Sequence, residues 1–235
     1  MSGHSKWATT HRQKAVADAK RGAIFTKIGN QIAIAARGGT DPMMNPTLAM
    51  VIEKAKQANM PNENIKRAIA RVADKSAAAL SEDLYEAYGP GGVGIIVETA
   101  TDNKNRTFPE VRSTLAKNGG RIADPGSVMF QFKRRGVIVV KATGEDALMT
   151  VLEAGAEDAL EDDGVMVVYT EQKELMKVRQ AIIDAGLVVE SAELQYVPNA
   201  MVALEDKDTE EKVMKILEAL DELDDVTNVS TNADL

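Results

Sequence analysis

The spacing of apolar residues changes period along the chain, and each change marks a unit of the fold. Through residues 8–75 the period is helical. Ile24, Phe25, Ile28, Ile32 and Ala35 fall on one face of a helix over residues 23–36, with Lys27, Asn30 and Arg37 turned away from it. Gly38-Gly39 stops that helix. Asn45-Pro46 starts another, an N-cap residue followed by proline at the first helical position, and Leu48, Val51, Ile52 and Ala55 are its inward stripe. After Pro61 a third helix turns Ile65, Ala68, Ile69 and Val72 inward and leaves Arg67, Arg71 and Lys75 together on the outer face. A small helical domain with a basic exterior follows from this pattern.

Beyond an Ala- and Ser-rich linker at residues 76–81 the pattern turns to strands. Tyr88-Gly89-Pro90-Gly91-Gly92 leads into Ile95-Ile96-Val97, a short apolar strand. Glycines at 89, 91 and 94 match G-x-G-x-x-G, but a dinucleotide loop follows a strand and opens a helix, and here the order is reversed. The stretch reads as a turn feeding a strand. A capping box with Thr107 as N-cap and Glu110 three residues on predicts a helix burying Phe108, Val111 and Leu115 and ending at Asn118-Gly119-Gly120. Val128, Phe130 and Phe132 then alternate with polar or exposed positions as a half-buried strand.

From Gly136 to Pro198 the predicted order is strand, helix, strand, strand, helix, strand, the ferredoxin-like arrangement. A strand over residues 200–204, a helix over 209–223 and a strand over 226–229 supply half of another such unit, whose remainder is residues 93–133. The expected fold is α+β in three domains. Residues 1–80 form an N-terminal helical bundle, residues 81–134 with 199–235 a split α+β domain, and residues 135–198 an acidic ferredoxin-like domain inserted in it.

Charge sharpens this division. The net charge of −8 conceals a basic first part, with 13 Lys and Arg against 5 Asp and Glu in residues 1–80, and an acidic last part, with 7 against 24 in residues 137–235. A cationic end on an anionic body suits a phosphate backbone. With no cysteine, disulfides, thiolate zinc sites and cysteine nucleophiles are excluded. No apolar run is long enough to span a bilayer and the first residues lack the apolar core of a signal peptide, so a cytoplasmic protein without membrane contact is expected.

Catalytic signatures are missing. Glu157, Asp158, Glu161, Asp162 and Asp163 lack the spacing of a cation loop and read as a solvated turn, and His4 and His11 have no spaced carboxylate or cysteine partner. G-x-S-x-G, Walker and H-E-x-x-H motifs do not occur. The expectation is a non-enzymatic protein with no metal, no cofactor and no small-molecule substrate.

The candidate nucleic-acid contacts are Lys6, Trp7, His11, Arg12, Lys14, Lys20, Arg21 and Lys27 in the first thirty residues, joined by Arg67 and Arg71. A secondary anion-binding loop is formed by Asn103, Asn105 and Arg106 with Arg112, at a strand end and helix start. The same residues fit an ordinary polar turn equally well.

Six segments in order carry a family resemblance: Gly3-His4-Ser5-Lys6-Trp7, Asp18-Ala19-Lys20-Arg21-Gly22, Ile24-Phe25-Thr26-Lys27, Lys54-Ala55-Lys56-Gln57-Ala58-Asn59-Met60-Pro61, Tyr88-Gly89-Pro90-Gly91-Gly92 and Asp102-Asn103-Lys104-Asn105-Arg106-Thr107. They resemble the signatures of the YebC family, which includes bacterial proteins called probable transcriptional regulators and the mitochondrial translational activator of cytochrome oxidase. The resemblance implies a three-domain fold and regulation of gene expression without catalysis. Thr47-Leu48-Ala49-Met50 departs from the arginine that relatives tend to carry there, and Val72-Ala73-Asp74 from their glycine-rich exit. Two targets remain open, DNA at promoters and ribosomal RNA in a translation factor that relieves stalling at proline-rich sequences. A third reading makes the acidic domain a scaffold for basic proteins. The lack of a polar recognition helix in a helix-turn-helix counts against sequence-specific DNA reading.

Overall fold

A computed structural model of the protein describes residues 18–72 and 80–235, with side chains from residue 22 onward. Three helices come first, α1 (Asp18–Ala35), α2 (Pro46–Gln57) and α3 (Asn62–Ala70). Their core is Ile28, Ile32, Leu48, Ala55, Met60 and Ile65, close to the predicted stripes. Val72 departs from its stripe and is 39% exposed, beyond the end of α3. Asn45 joins two helices at once. Its Oδ1 accepts from the Leu48 N–H at 3.1 Å to cap α2, while Nδ2 donates to the carbonyls of Ala35 and Gly39 at 2.8 Å each.

A first four-stranded sheet follows, in the order β3-β1-β2-β9, from β1 (Ser81–Tyr88), β2 (Gly94–Thr101), β3 (Arg121–Ile122) and β9 (Val226–Thr231). All its neighbours are antiparallel. Helices α4 (Lys104–Lys117) and α7 (Lys207–Asp221) cover one face, where Ile95 and Val97 meet Val111, Leu115, Val213, Ile216 and Leu220. Ile96 points the other way, onto Val128 and Phe132. With both faces covered, β2 reads as a continuous apolar run rather than an alternating one.

The second sheet has the order β5-β6-β4-β7, from β4 (Phe132–Val140), β5 (Asp158–Asp162), β6 (Val165–Thr170) and β7 (Val189–Pro198). Helices α5 (Glu145–Glu153) and α6 (Leu175–Asp184) pack against Ile138, Val140, Met166 and Val168. Asp163 and Gly164, at φ 46° and 81°, form the two-residue turn between β5 and β6. Gly136 in β4 is required by a close approach. A Cβ there would lie 2.2 Å from Thr170 Oγ1 and 2.9 Å from Leu175 Cβ. The chain thus leaves the first sheet after β3, builds the second, and returns with β9.

Several local expectations are corrected. The helix after β2 begins at Lys104 with Asn103 as its cap, accepting from the Arg106 N–H, so Thr107 is buried inside the first turn instead of capping it. Phe108 is 39% exposed, its ring tilted 48° to that of Tyr85 at a centroid distance of 5.6 Å, rather than belonging to the core stripe. The predicted strand at residues 128–133 is a 3₁₀ turn over Met129–Gln131 with Phe130 72% exposed, and the strand starts at Phe132. β8 (Val202–Ala203) does not enter the first sheet, because β2 is already flanked by β1 and β9; it pairs in parallel with β10 (Ala233–Asp234).

Candidate nucleic-acid interface

Of the predicted contacts, Lys6, Trp7, His11, Arg12 and Lys14 lie outside the described residues. Lys20 and Arg21 fall in the first turn of α1. Lys27, two turns on, has a different role from the one its sequence position suggests. Its Nζ donates to the backbone carbonyl of Asp221 and lies 3.5 Å from that residue's Oδ1, with the side chain only 11% exposed. Burial pushes its pKa down, and the neighbouring Asp221 carboxylate opposes the shift. A lysine so enclosed is unavailable to a phosphate.

Other polar residues on α1 and in the turn after it also reach the rest of the chain. Asn30 is buried and donates to the carbonyl of Ala100 at 3.3 Å, Gln31 donates to that of Thr227 at 3.4 Å, and Arg37 to that of Leu80. Arg71 also makes contacts within the chain. Its Nη1 donates to Asn30 Oδ1 at 3.2 Å and its Nη2 lies 3.6 Å from Asp102 Oδ2. Helix α2 is fastened to the second sheet and its helices by Lys54 to Glu193 at 3.2 Å and by Glu53 to Arg179 at 2.5 Å. The polar faces of α1 and α2 are therefore joints.

Cations that stay outward are fewer. Arg67 on α3 and Lys56 near the end of α2 are exposed and have no ion-pair partner among the described residues. Lys66 reaches Glu63 at 3.5 Å, but both side chains are about three-quarters exposed, so the pair is weak. Arg67, Lys56 and Lys66 are thus the outward cations of α2 and α3.

The loop before α4 already holds an anion from within the chain. The Asp225 carboxylate accepts from Thr107 Oγ1 at 2.7 Å, Thr101 Oγ1 at 3.0 Å and Arg106 Nη2 at 2.8 Å. Burial would raise its pKa, but these hydrogen bonds outweigh burial and hold it below the usual carboxylate range. Arg106 is thereby committed to Asp225, with Asp102 at 3.3 Å, and Asn103 to capping. Asn105 and Arg112 remain exposed. The Asp-Asn-Lys-Asn-Arg-Thr sequence gave no sign of Asp225, which lies 119 residues beyond Arg106.

Two arginine–tyrosine pairs escaped the sequence reading, Arg134 over Tyr196 at 5.6 Å and Arg121 over Tyr88. The Arg121 guanidinium carbon lies 4.8 Å from the centroid of the Tyr88 ring, at the glycine-rich turn Pro90–Gly92. Only the tyrosine beside the glycines could have suggested it. Among the described residues no helix is long and apolar enough to cross a membrane, and no group of three or more His, Asp or Glu is arranged to hold a metal.

Known proteins give this arrangement a context. The TACO1/YebC protein N-terminal domain matches residues 5–75, and the TACO1/YebC second and third domain matches residues 80–233. A probable transcriptional regulatory protein of Frankia casuarinae is 48% identical over all of this chain and 96% of its own length. Another from Mycobacterium tuberculosis is 47% identical over all of this chain and 96% of its length. The crystal structure of a conserved hypothetical protein from Aquifex aeolicus superposes with a TM-score of 0.87 at 40% identity, covering 92% of this chain and 91% of that one. On these grounds the chain belongs to the TACO1/YebC family.

Proposed function

We propose that this protein is a non-enzymatic regulator of gene expression that binds nucleic acid through its basic helical domain, with DNA as the target its relatives' name suggests. The carrying observation is the sorting of cations in that domain. Lys27, Lys54 and Arg71 face the acidic remainder of the chain and fix the domain to it, whereas Arg67, Lys56 and Lys66 face outward. Phosphate contact through the outward set, with Lys20, Arg21 and the residues before them, supplies affinity without sequence information. The domain division that serves this reading is 1–80 for the basic part, 81–134 with 199–235 for the split part, and 135–198 for the acidic insertion.

Ribosomal RNA is the second reading, favoured by the Arg121 and Tyr88 pair, since arginine planes and aromatic rings take unstacked bases. Sedimentation of lysate through a sucrose gradient, beside a gel shift with random duplex DNA at near-physiological salt, separates the two. Absence from ribosomal particles with a sequence-dependent shift supports the DNA regulator. Nuclease-sensitive migration with ribosomes, with only salt-labile DNA binding, supports the translation factor. Binding to neither refutes both.

A further inference from the structure

The turn between β1 and β2 and the chain after α4 border an open surface hollow of about 410 Å³, lined by Tyr88, Gly89, Gly92, Gly119, Gly120 and Arg121. That volume lies within the range of ligand clefts, about 300–1,000 Å³. Four of the six lining residues have no side chain, so much of the wall is backbone. A Cβ on Gly120 would lie 3.1 Å from the Tyr88 carbonyl oxygen. Gly92, at φ 76°, faces open space: a Cβ there would meet nothing within 4 Å.

The ring beside this hollow is fixed. Tyr88 donates its hydroxyl to the Ser127 carbonyl at 2.8 Å and packs against Ile96, Val128 and Phe132. The loop carrying Ser127 is itself held by Glu86, a buried carboxylate that accepts from the N–H groups of Gly126, Val128 and Met129 at 2.5–2.7 Å. Arg121 rests over this anchored ring, is exposed, and has no ion-pair partner among the described residues. One free cation, a planar guanidinium braced by an aromatic ring, sits at a hollow walled largely by backbone in a chain that is acidic overall.

A flat ligand carrying negative charge matches this chemistry, because guanidinium and aromatic planes stack on bases while cations hold phosphates. We propose that the hollow accepts one unpaired nucleotide of a single-stranded nucleic acid, its base against the Arg121–Tyr88 pair. This rests on the nucleic-acid reading above and adds a contact outside the helical domain, one that discriminates unpaired from paired strands.

The test uses the full-length protein and 12-nucleotide RNA and DNA strands carrying one 2-aminopurine, the matching duplexes, and adenosine monophosphate. Arg121→Ala should weaken single-strand binding about 5- to 150-fold, the range for loss of one stacked base, and leave duplex binding unchanged. Arg121→Lys should recover part of the affinity but not the change in 2-aminopurine emission, because an ammonium has no plane. Lys20→Ala with Arg21→Ala should weaken every strand and duplex. Wild-type single-strand affinity and emission in Arg121→Ala would overturn the hollow as a base site and leave the helical domain's role intact. Equal loss on single strands and duplexes would reduce Arg121 to a general phosphate contact and overturn the proposal too. Adenosine monophosphate binding as tightly as the strands would assign the hollow to a free nucleotide instead. A wild-type protein that binds no strand and no duplex would overturn the underlying reading.

Discussion

Lys27 and Asp221 meet across the chain, the lysine Nζ donating to the aspartate's carbonyl and lying 3.5 Å from its Oδ1. One belongs to the first described helix and the other to the last residue of α7. Their contact turns a residue of the basic N-terminal stretch into a fastener of the fold. It separates the cations that hold the protein together from those left to hold a partner.

Lys27→Met should therefore leave nucleic-acid affinity and its salt dependence unchanged. It should also alter the pH profile of stability. Burial gives the native lysine a pKa below its ordinary 10.5, so between the two values the unfolded chain binds more protons and stability rises with pH. Equilibrium unfolding of the wild type should show that rise, and the methionine variant should lack it.

Asp225→Ala should destabilise by about 1–3 kcal/mol, because it removes the acceptor of two buried hydroxyls and leaves Arg106 with Asp102 alone. Its native pKa is depressed, so its contribution is present above the ordinary carboxylate value and is lost as the pH falls through the native one. Denaturant titrations from pH 7 into the acid range should show a smaller acid loss in the variant than in the wild type.

Glu98 behaves in the opposite sense. Burial at the junction of β2 with α1 and α2 raises its pKa, though Asn228 donates to its Oε2 at 2.9 Å. The native protein then holds its proton more tightly than the unfolded chain, and stability declines as the pH rises through the native value. Glu98→Gln keeps an acceptor for Asn228 and should raise the melting temperature at pH 7. A lowered melting temperature would mean that attraction to Arg134 outweighs burial.

Gly136→Ala should cost about 1–3 kcal/mol, since the new methyl meets Thr170 and Leu175 where β4 passes under α6. Thermal melting of that variant beside Gly92→Ala separates crowding from backbone strain, for a Cβ at Gly92 has open space in front of it.

How much of this could be read from the chain follows from the range of the forces involved. The stripes of Ile28, Ile32, Leu48, Ala55 and Ile65 were legible because helix burial repeats locally. The alternation of elements after Gly136 was legible for the same reason. β1 was not, since Glu82, Asp83 and Glu86 disguise it and Glu86 is buried for a loop some 40 residues away. Thr107 looked like a cap because its true partners, Thr101 and Asp225, include one 118 residues on. The polar side of α1 looked solvated, yet Asn30, Gln31 and Arg37 find backbone carbonyls of other elements. Amphipathic periodicity tells which residues are apolar, not whether a polar face meets water or another layer of protein.

The central claim, that outward cations of the helical domain hold phosphates while inward ones hold the fold, is tested most directly by the salt dependence of binding to random duplex DNA. Each lost phosphate contact should lower the log-log slope by about 0.9. Lys20→Ala, Arg21→Ala and Arg67→Ala combined should reduce the slope by between two and three units, with the fold intact by circular dichroism, and Lys27→Met should not change it. An unchanged slope in the triple variant, or a reduced one in Lys27→Met, would contradict the account.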